Sequence, residues 1–295
     1  MKKLVQVKQE AKALYKEHKI NSVSDIETLL CLILEVGYKD LLLKTEISDK
    51  QYKIFMNGIK KRIKGVPIQK IIGYTYFNGV KISYKDKTLT PRQETEILAD
   101  KIVKYIKAIE KKEDVSSYTK SDSSHRRTKK LRVLDLCCGS GCIGLSIAQN
   151  TTAKVTLSDI SRFAISHTKE NAKKNFIKKV KIIKSDLFTK IKGKFDIIVS
   201  NPPYIKKGDL QNLELEVKKY DPMLALDGGV TGYDFYEKII SQAPKYLAKG
   251  GLIFFEVGIY QDKKVSKMLE ENFEDIKITK DFANINRFVE AKIKG

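Results

Sequence analysis

The chain has 295 residues, 42% apolar and 32% charged, the proportions of a globular protein with one large domain and a smaller companion rather than of a disordered chain. Its net charge of +21 can attract polyanions or an acidic protein surface, yet the lysines are spread along the chain without an Arg-rich stripe, as in a solvated surface. No apolar run approaches the ~20 residues of a membrane span, the start MKKLVQVKQEAK lacks a signal-peptide core, and Cys137, Cys138 and Cys142 have neither disulfide-framework nor metal-site spacing, so a cytoplasmic, metal-free protein is expected.

Residues 1–72 read as a small domain of short helices. Ser24-x-x-Glu27 and Ser48-x-x-Gln51 are capping-box starts, and Gly37 and Gly65 are stops. Leu29, Leu30, Ile33, Leu34, Ile54 and Ile63 give the helices apolar faces. Residues 73–92 are expected to form a β-hairpin connector, because Asn78-Gly79 stands between two β-prone runs. The main domain is expected over 93–295. It opens with a helix from about Gln93 to Lys112, with Leu98, Ile102, Tyr105 and Ile109 on one face. Residues 113–130, EDVSSYTKSDSSHRRTKK, lack large aliphatics, so a mobile surface loop is expected.

Beyond it, strand-like runs at Arg132–Leu136, Lys154–Ser158, Val180–Lys184, Asp196–Ser200 and Leu252–Val257 alternate with helix-like stretches. Alternation of that kind implies a parallel sheet covered by helices on both faces. Segments near Ile276–Thr279 and Phe288–Lys292 are too close for a crossover helix and should pair antiparallel. The fold class is therefore α/β: a Rossmann-like, mostly parallel sheet with a terminal antiparallel strand, preceded by a helical domain.

VLDLCCGSGCIGLSIA sets a buried strand, an acidic residue, a Gly-Ser-Gly turn and an apolar helix in a row. In such a unit glycines let the backbone approach a ligand, and the helix N-terminus favours polar or negative groups. Asp135, Cys137, Cys138, Gly139, Ser140 and Gly141 are its candidate binding residues, and no Gly-Lys-Ser/Thr triphosphate grip follows. Asp159, at the end of the next strand, can accept from both hydroxyls of a ribose; capping the next helix is the other reading. Asp186 and Leu187 can offer an adenine a carboxylate for its amino group and an apolar wall for its ring.

SNPPYI, residues 200–205, follows the fourth strand. Asn201 and Pro202 each precede a proline and are pushed toward extended geometry, while the rings fix φ and remove two N–H donors. The result is a rigid element carrying acceptors. The side-chain oxygen of Asn201 and the carbonyl of Pro202 suit the two hydrogens of a planar NH2 group, Pro203 stiffens the turn, and Tyr204 can stack on the π face. A purely structural Pro-Pro turn is the alternative.

With NPPY after a strand and LDLCCGSGCI upstream, the chain resembles class I S-adenosylmethionine-dependent methyltransferases that modify planar nitrogens. PIQKIIGYTYFNG, TPRQETEIL, SDIS, SNPPYI and EVGIYQ together resemble the release factor glutamine methyltransferases (PrmC or HemK) over essentially the whole chain. Cys137-Cys138 where Gly-Thr is more usual, Asp221 where Glu is frequent, and the 113–130 segment depart from that pattern. The resemblance implies N5-methylation of the glutamine in the Gly-Gly-Gln motif of peptide chain release factors, with S-adenosylmethionine as cofactor. NPPY can hold either an amide or an adenine amino group, so residues 1–72 are expected to be the surface that recognises the protein substrate, and a monomer is expected. Arg92, Glu94 and Thr95 match a family motif that an ion pair or a cap would explain equally well. Two other readings stay open: an adenine N6 methyltransferase on DNA or RNA, and a nucleic-acid-binding module that kept the fold and lost catalysis. Intact Asn201 and Asp159 argue against the second. Neither has a legible basic recognition surface, so stable nucleic-acid binding is not expected.

Overall fold

A computed structural model describes residues 1–20, 24–118 and 130–295. Residues 1–75 with 214–220 form one unit, and 76–213 with 221–295 form the other. The first contains β1 (Lys2–Lys3), α1 (Leu4–Glu17), α2 (Ser24–Leu34), α3 (Tyr38–Leu43), β2 (Glu46–Ile47), α4 (Asp49–Ile63) and α5 (Ile68–Ile72). α4 starts on the predicted capping box: Gln51 N–H donates to Ser48 Oγ at 3.2 Å, and Ser48 N–H donates to Gln51 Oε1 at 3.0 Å. Ser24 is instead the first helical residue of α2, and Gly37 is the N-cap of α3. Leu4, Val7, Ala11 and Tyr15 form the buried stripe of α1 and join Leu29, Leu30, Phe55 and Ile59 in one core. Ile54 was expected there but is 50% exposed. The neighbouring Phe55, Met56 and Ile59 take the inward face of α4, and at 100° per residue that turns Ile54 to the rim.

The second unit begins within the hairpin of β3 (Tyr74–Phe77) and β4 (Val80–Ser83). Asn78 and Gly79 have φ of 44° and 81°, the paired left-handed geometry that the Asn-Gly signal predicts. α6 (Gln93–Tyr118) buries Leu98, Ala99, Ile102, Val103 and Ile106, whereas Tyr105 is 40% exposed. The helix passes its expected end at Lys112 because no Gly or Pro interrupts it. Residues 113–118 of the expected loop are thus helical, and 119–129 lie outside the described residues.

Then come β5 (Arg132–Leu136), α7 (Cys142–Asn150), β6 (Lys154–Asp159), α8 (Arg162–Lys174), β7 (Val180–Lys184) and β8 (Phe195–Ser200). α9 (Leu215–Tyr220) belongs to the first unit; α10 (Asp234–Gln242), β9 (Leu247–Glu256), α11 (Asp262–Leu269), β10 (Phe273–Lys280) and β11 (Asn286–Ile293) complete the second. The main sheet runs β10-β11-β9-β8-β5-β6-β7. β9, β8, β5, β6 and β7 are parallel, and β11 is antiparallel to both β9 and β10. Val133, Ile197 and Val199 point into one core layer with α6 and α7, while Leu134, Leu136 and Ile198 point into the other with α10 and α11. This is the period-two alternation of strands buried on both faces. Strand order reverses on either side of β5, which opens a crevice at the carboxyl ends of the strands.

His167 on α8 ties the hairpin side of this unit together. Its Nδ1 lies 2.6 Å from Thr88 Oγ1 and its Nε2 lies 2.8 Å from the Ser83 carbonyl. Burial pushes its pKa down to about 4. The folded state thus holds a neutral ring that the unfolded chain protonates near pH 6.5, so this contribution is full above that pH and is lost as pH falls toward 4. Denaturation midpoints measured from pH 7 to 4.5 should show a loss of up to about 2–3 kcal/mol. The pH dependence should be shallower in His167→Gln, and an equally steep slope in that variant would assign it to other groups.

Candidate active site

The loop after β5 turns sharply, with φ of 58° at Cys137, 56° at Gly139 and 82° at Gly141. Cys137 bears a Cβ in this left-handed region, at a cost of about 1 kcal/mol relative to glycine. A Cβ built on Gly139 would meet only open space, so the loop offers backbone to that space. Asp135 has a different task from the one expected. It is buried, its Oδ2 accepts from Gly144 N–H at 2.8 Å, and burial pushes its pKa up to about 8. It pins the first turn of α7 to β5. Burial also pushes Cys142 up to about 12 and Cys138 well above the ordinary thiol value, so both stay neutral. The cysteines are free, and among the described residues no cluster of His, Cys, Asp or Glu is arranged to hold a metal.

Asp159 ends β6 with Oδ2 accepting from Gly139 N–H at 2.9 Å and Oδ1 from Ser161 N–H at 2.8 Å. Burial raises its pKa, and these backbone donors oppose the rise. The cap of α8 is Ser161, which accepts from Ala164 N–H at 3.3 Å. Ile160 N–H is a third backbone donor to the Asp159 carboxylate, which leaves it one lone pair for a hydroxyl. After β7, the Ser185 N–H donates to the Asp159 carbonyl at 3.0 Å, which brings Asp186 and Leu187 alongside. The three strand ends share one cavity of about 560 Å³, within the usual range for a small ligand. Cys137, Cys138, Gly139, Ser140, Asp159, Asp186, Leu187, Asn201 and Pro203 line it; Asp135, Gly141, Pro202 and Tyr204 do not. Two carboxylates beside the apolar Ile160 and Leu187 are a donor-seeking, flat-walled set that fits a nucleoside.

SNPPYI is caged. Ile205 N–H donates to the Leu226 carbonyl at 3.0 Å, and Gly228 N–H donates to the Ile205 carbonyl at 2.8 Å. Gln261 Nε2 donates to the Tyr204 carbonyl at 3.0 Å, while its Oε1 accepts from Gly258 N–H at 3.0 Å. A Cβ at Gly228 would come within 2.7 Å of Tyr204 backbone, so only glycine permits this approach. Tyr204 packs against Gly258 and is not part of the cavity lining.

Glu256, at the end of β9, received no role from the sequence. It is buried, and its Oε2 accepts from Thr95 Oγ1 at 2.7 Å. Burial raises its pKa; Thr95, Arg287, Arg92 and a hydrogen bond from the Asn201 side chain oppose that. Arg92 lies 3.8 Å from Asp221, and Glu94 is exposed. The only prior signal for Glu256 and Gln261 was their presence in EVGIYQ.

The chain matches the family models for the PrmC N-terminal domain over residues 6–73 and for the methyltransferase small domain over residues 121–219. It is 36% identical over 270 residues to the release factor glutamine methyltransferase of Thermodesulfovibrio yellowstonii, covering 90% of this chain and 91% of that one. It is 38% identical over 275 residues, 90% of each chain, to the release factor glutamine methyltransferase of Clostridium acetobutylicum. Among solved structures it is similar to a methyltransferase from Pyrococcus furiosus, with a TM-score of 0.52 and 16% identity over 79% of this chain and 98% of that one. A 16S rRNA N2 G1207 methyltransferase from T. thermophilus gives a TM-score of 0.50 and 18% identity over 75% of this chain and 50% of that one. At these identities the two structures establish the Rossmann-like methyltransferase fold alone.

Proposed function

The chain belongs to the release factor glutamine methyltransferase family, and on that premise we propose that it methylates N5 of the glutamine in the Gly-Gly-Gln motif of peptide chain release factors, using S-adenosylmethionine. One juxtaposition carries the reading at the level of the site: Asn201, from NPPY, lines the same cavity as Asp159 and Asp186. Gly139 and its loop, Asp159, Asp186 and Leu187 are the residues that would hold the cofactor. When bound, S-adenosylmethionine supplies an electrophilic methyl group on a sulfonium sulfur.

An amide nitrogen is a poor nucleophile because its lone pair is delocalised into the carbonyl. In this reading the Asn201 side-chain oxygen, on the cavity wall, accepts one N–H bond of the substrate amide, and the carbonyl of Pro202, a residue next to that wall in sequence, accepts the other. Holding both bonds turns the nitrogen toward tetrahedral geometry and aims its lone pair, and the two carbonyl dipoles stabilise positive charge growing on nitrogen. Tyr204 supports that element from behind. We infer further that the helical unit engages the release factor and that the enzyme works as a cytoplasmic monomer without stable nucleic-acid binding. No helix among the described residues is long and apolar enough to cross a membrane.

An adenine amino group is also a planar NH2, so substrate class is tested directly. Purified protein with methyl-labelled S-adenosylmethionine should label a folded release factor and leave free glutamine and DNA unlabelled. A folded protein offers binding energy beyond the acceptor side chain, which a free amino acid lacks. Replacing the acceptor glutamine should abolish labelling. Persistent labelling of that variant, or efficient labelling of DNA adenines, overturns the reading.

A further inference from the structure

Asn201 can present either end of its side-chain amide to the cavity, and the two ends do opposite things. The oxygen accepts an N–H, whereas the NH2 end opposes one. An Asn201 that grips a substrate amide therefore needs a neighbour that selects its orientation. The β8–β9 pairing runs Ile198 with Ile253, Val199 with Phe254 and Ser200 with Phe255. One further step along both strands sets Asn201 beside Glu256, whose carboxylate is hydrogen-bonded by the Asn201 side chain. An ionised carboxylate only accepts, so the NH2 end must face it, and the oxygen is left for the cavity wall that Asn201 forms. We infer that Glu256 is a positioning residue for methyl transfer, holding the Asn201 amide in the one orientation that offers an acceptor to the substrate nitrogen. The inference rests on the role proposed for Asn201.

The surroundings of Glu256 suit that task. Thr95 Oγ1 holds Oε2, and the Tyr236 hydroxyl donates to the Glu256 carbonyl at 3.0 Å. On the far side Glu256 pairs with Phe288 of β11, which fixes its backbone from that edge. Arg92 and Arg287 favour the ionised form against the cost of burial, and Tyr204, Tyr236 and Cys142 are its other titratable neighbours. A buried carboxylate at a strand end is costly unless such donors surround it. Thr95, from TPRQETE, thereby acquires a purpose that pattern alone did not supply.

The test is Glu256→Gln, followed by turnover of a release factor, KM, cofactor dissociation constant and melting temperature. Glutamine can donate as well as accept, so it no longer selects one end of Asn201. We expect kcat to fall about 10- to 100-fold with the cofactor constant within about twofold. Adding Asn201→Asp should recover at least about threefold of that loss, because a carboxylate presents an acceptor whichever way it turns. A merely structural role predicts no recovery. Thr95→Val, which removes one clamp, should lower kcat about threefold with cofactor binding unchanged, and it decides the matter if Glu256→Gln does not fold. Asn201→Ala separates the two levels. If that variant keeps normal turnover, the role of Asn201 falls and the inference with it. If it loses turnover while Glu256→Gln stays within threefold of the parent, or while the double variant shows no recovery, the inference alone falls. Unchanged kcat in Thr95→Val, where Glu256→Gln is unfolded, likewise overturns it.

Discussion

Asn201→Ala should lower turnover at saturating substrates by a factor of about 10² to 10³, while the cofactor dissociation constant stays close to that of the parent protein. The expectation follows from what alanine removes and what it leaves. It removes the side-chain oxygen on the cavity wall, an acceptor whose loss compares with deleting one preorganised oxyanion-hole dipole, ~3 kcal/mol. It leaves the backbone, since the bonds of Ile205 to Leu226, Gly228 to Ile205 and Gln261 to Tyr204 do not involve the Asn201 side chain. The Pro202 carbonyl would hold one N–H of the substrate but not the second, so the nitrogen would keep more of its conjugated, planar character. Single-turnover methyl transfer to a release factor is the measurement. Turnover within threefold of the parent, with normal folding, would make Asn201 a structural residue of a Pro-Pro turn.

The parts of this protein that could be read in advance are those written in local pattern. Strands β5 to β8 are short β-prone runs that alternate with helix-like stretches, and their limits agree with expectation to within a residue. Asn78-Gly79 needs no partner to announce a hairpin, and NPPY declares its rigidity through φ alone. What pattern cannot carry is the choice between nearly equivalent faces. Ile54 and Tyr105 are as apolar as their neighbours, and only the packing of the folded unit turns them outward. Nor can it carry pairings across long stretches of chain. Thr95 and Glu256 meet across 161 residues, and each taken separately is an ordinary polar residue. Asp135 illustrates a third case: the residue stands out in the sequence, yet its partner is the backbone N–H of Gly144. A side chain serving the backbone leaves no signature in residue type.

Asp159 combines both kinds of role, and its substitution should expose the hidden one. Asp159→Ala is expected to weaken S-adenosylmethionine binding on the order of 100-fold, ~3 kcal/mol, by removing the acceptor for ribose hydroxyls and leaving the N–H groups of Gly139 and Ser161 without their partner. Asp159→Asn discriminates further. If ribose recognition were the whole task, asparagine would retain one acceptor and much of the affinity. In this structure each carboxylate oxygen already faces a backbone donor, Oδ2 toward Gly139 and Oδ1 toward Ser161. An asparagine in either orientation must therefore set its NH2 group against an N–H, and the loop carrying Gly139 must move to relieve the clash. Asp159→Asn should thus lose nearly as much affinity as Asp159→Ala, whereas kcat at saturating cofactor should stay within about threefold in both, since Asn201 and its cage are untouched. Calorimetric dissociation constants for the two variants decide it: affinity in the asparagine variant within a few-fold of the parent would mean that the carboxylate serves the ribose alone and that its hold on the loop contributes nothing to binding.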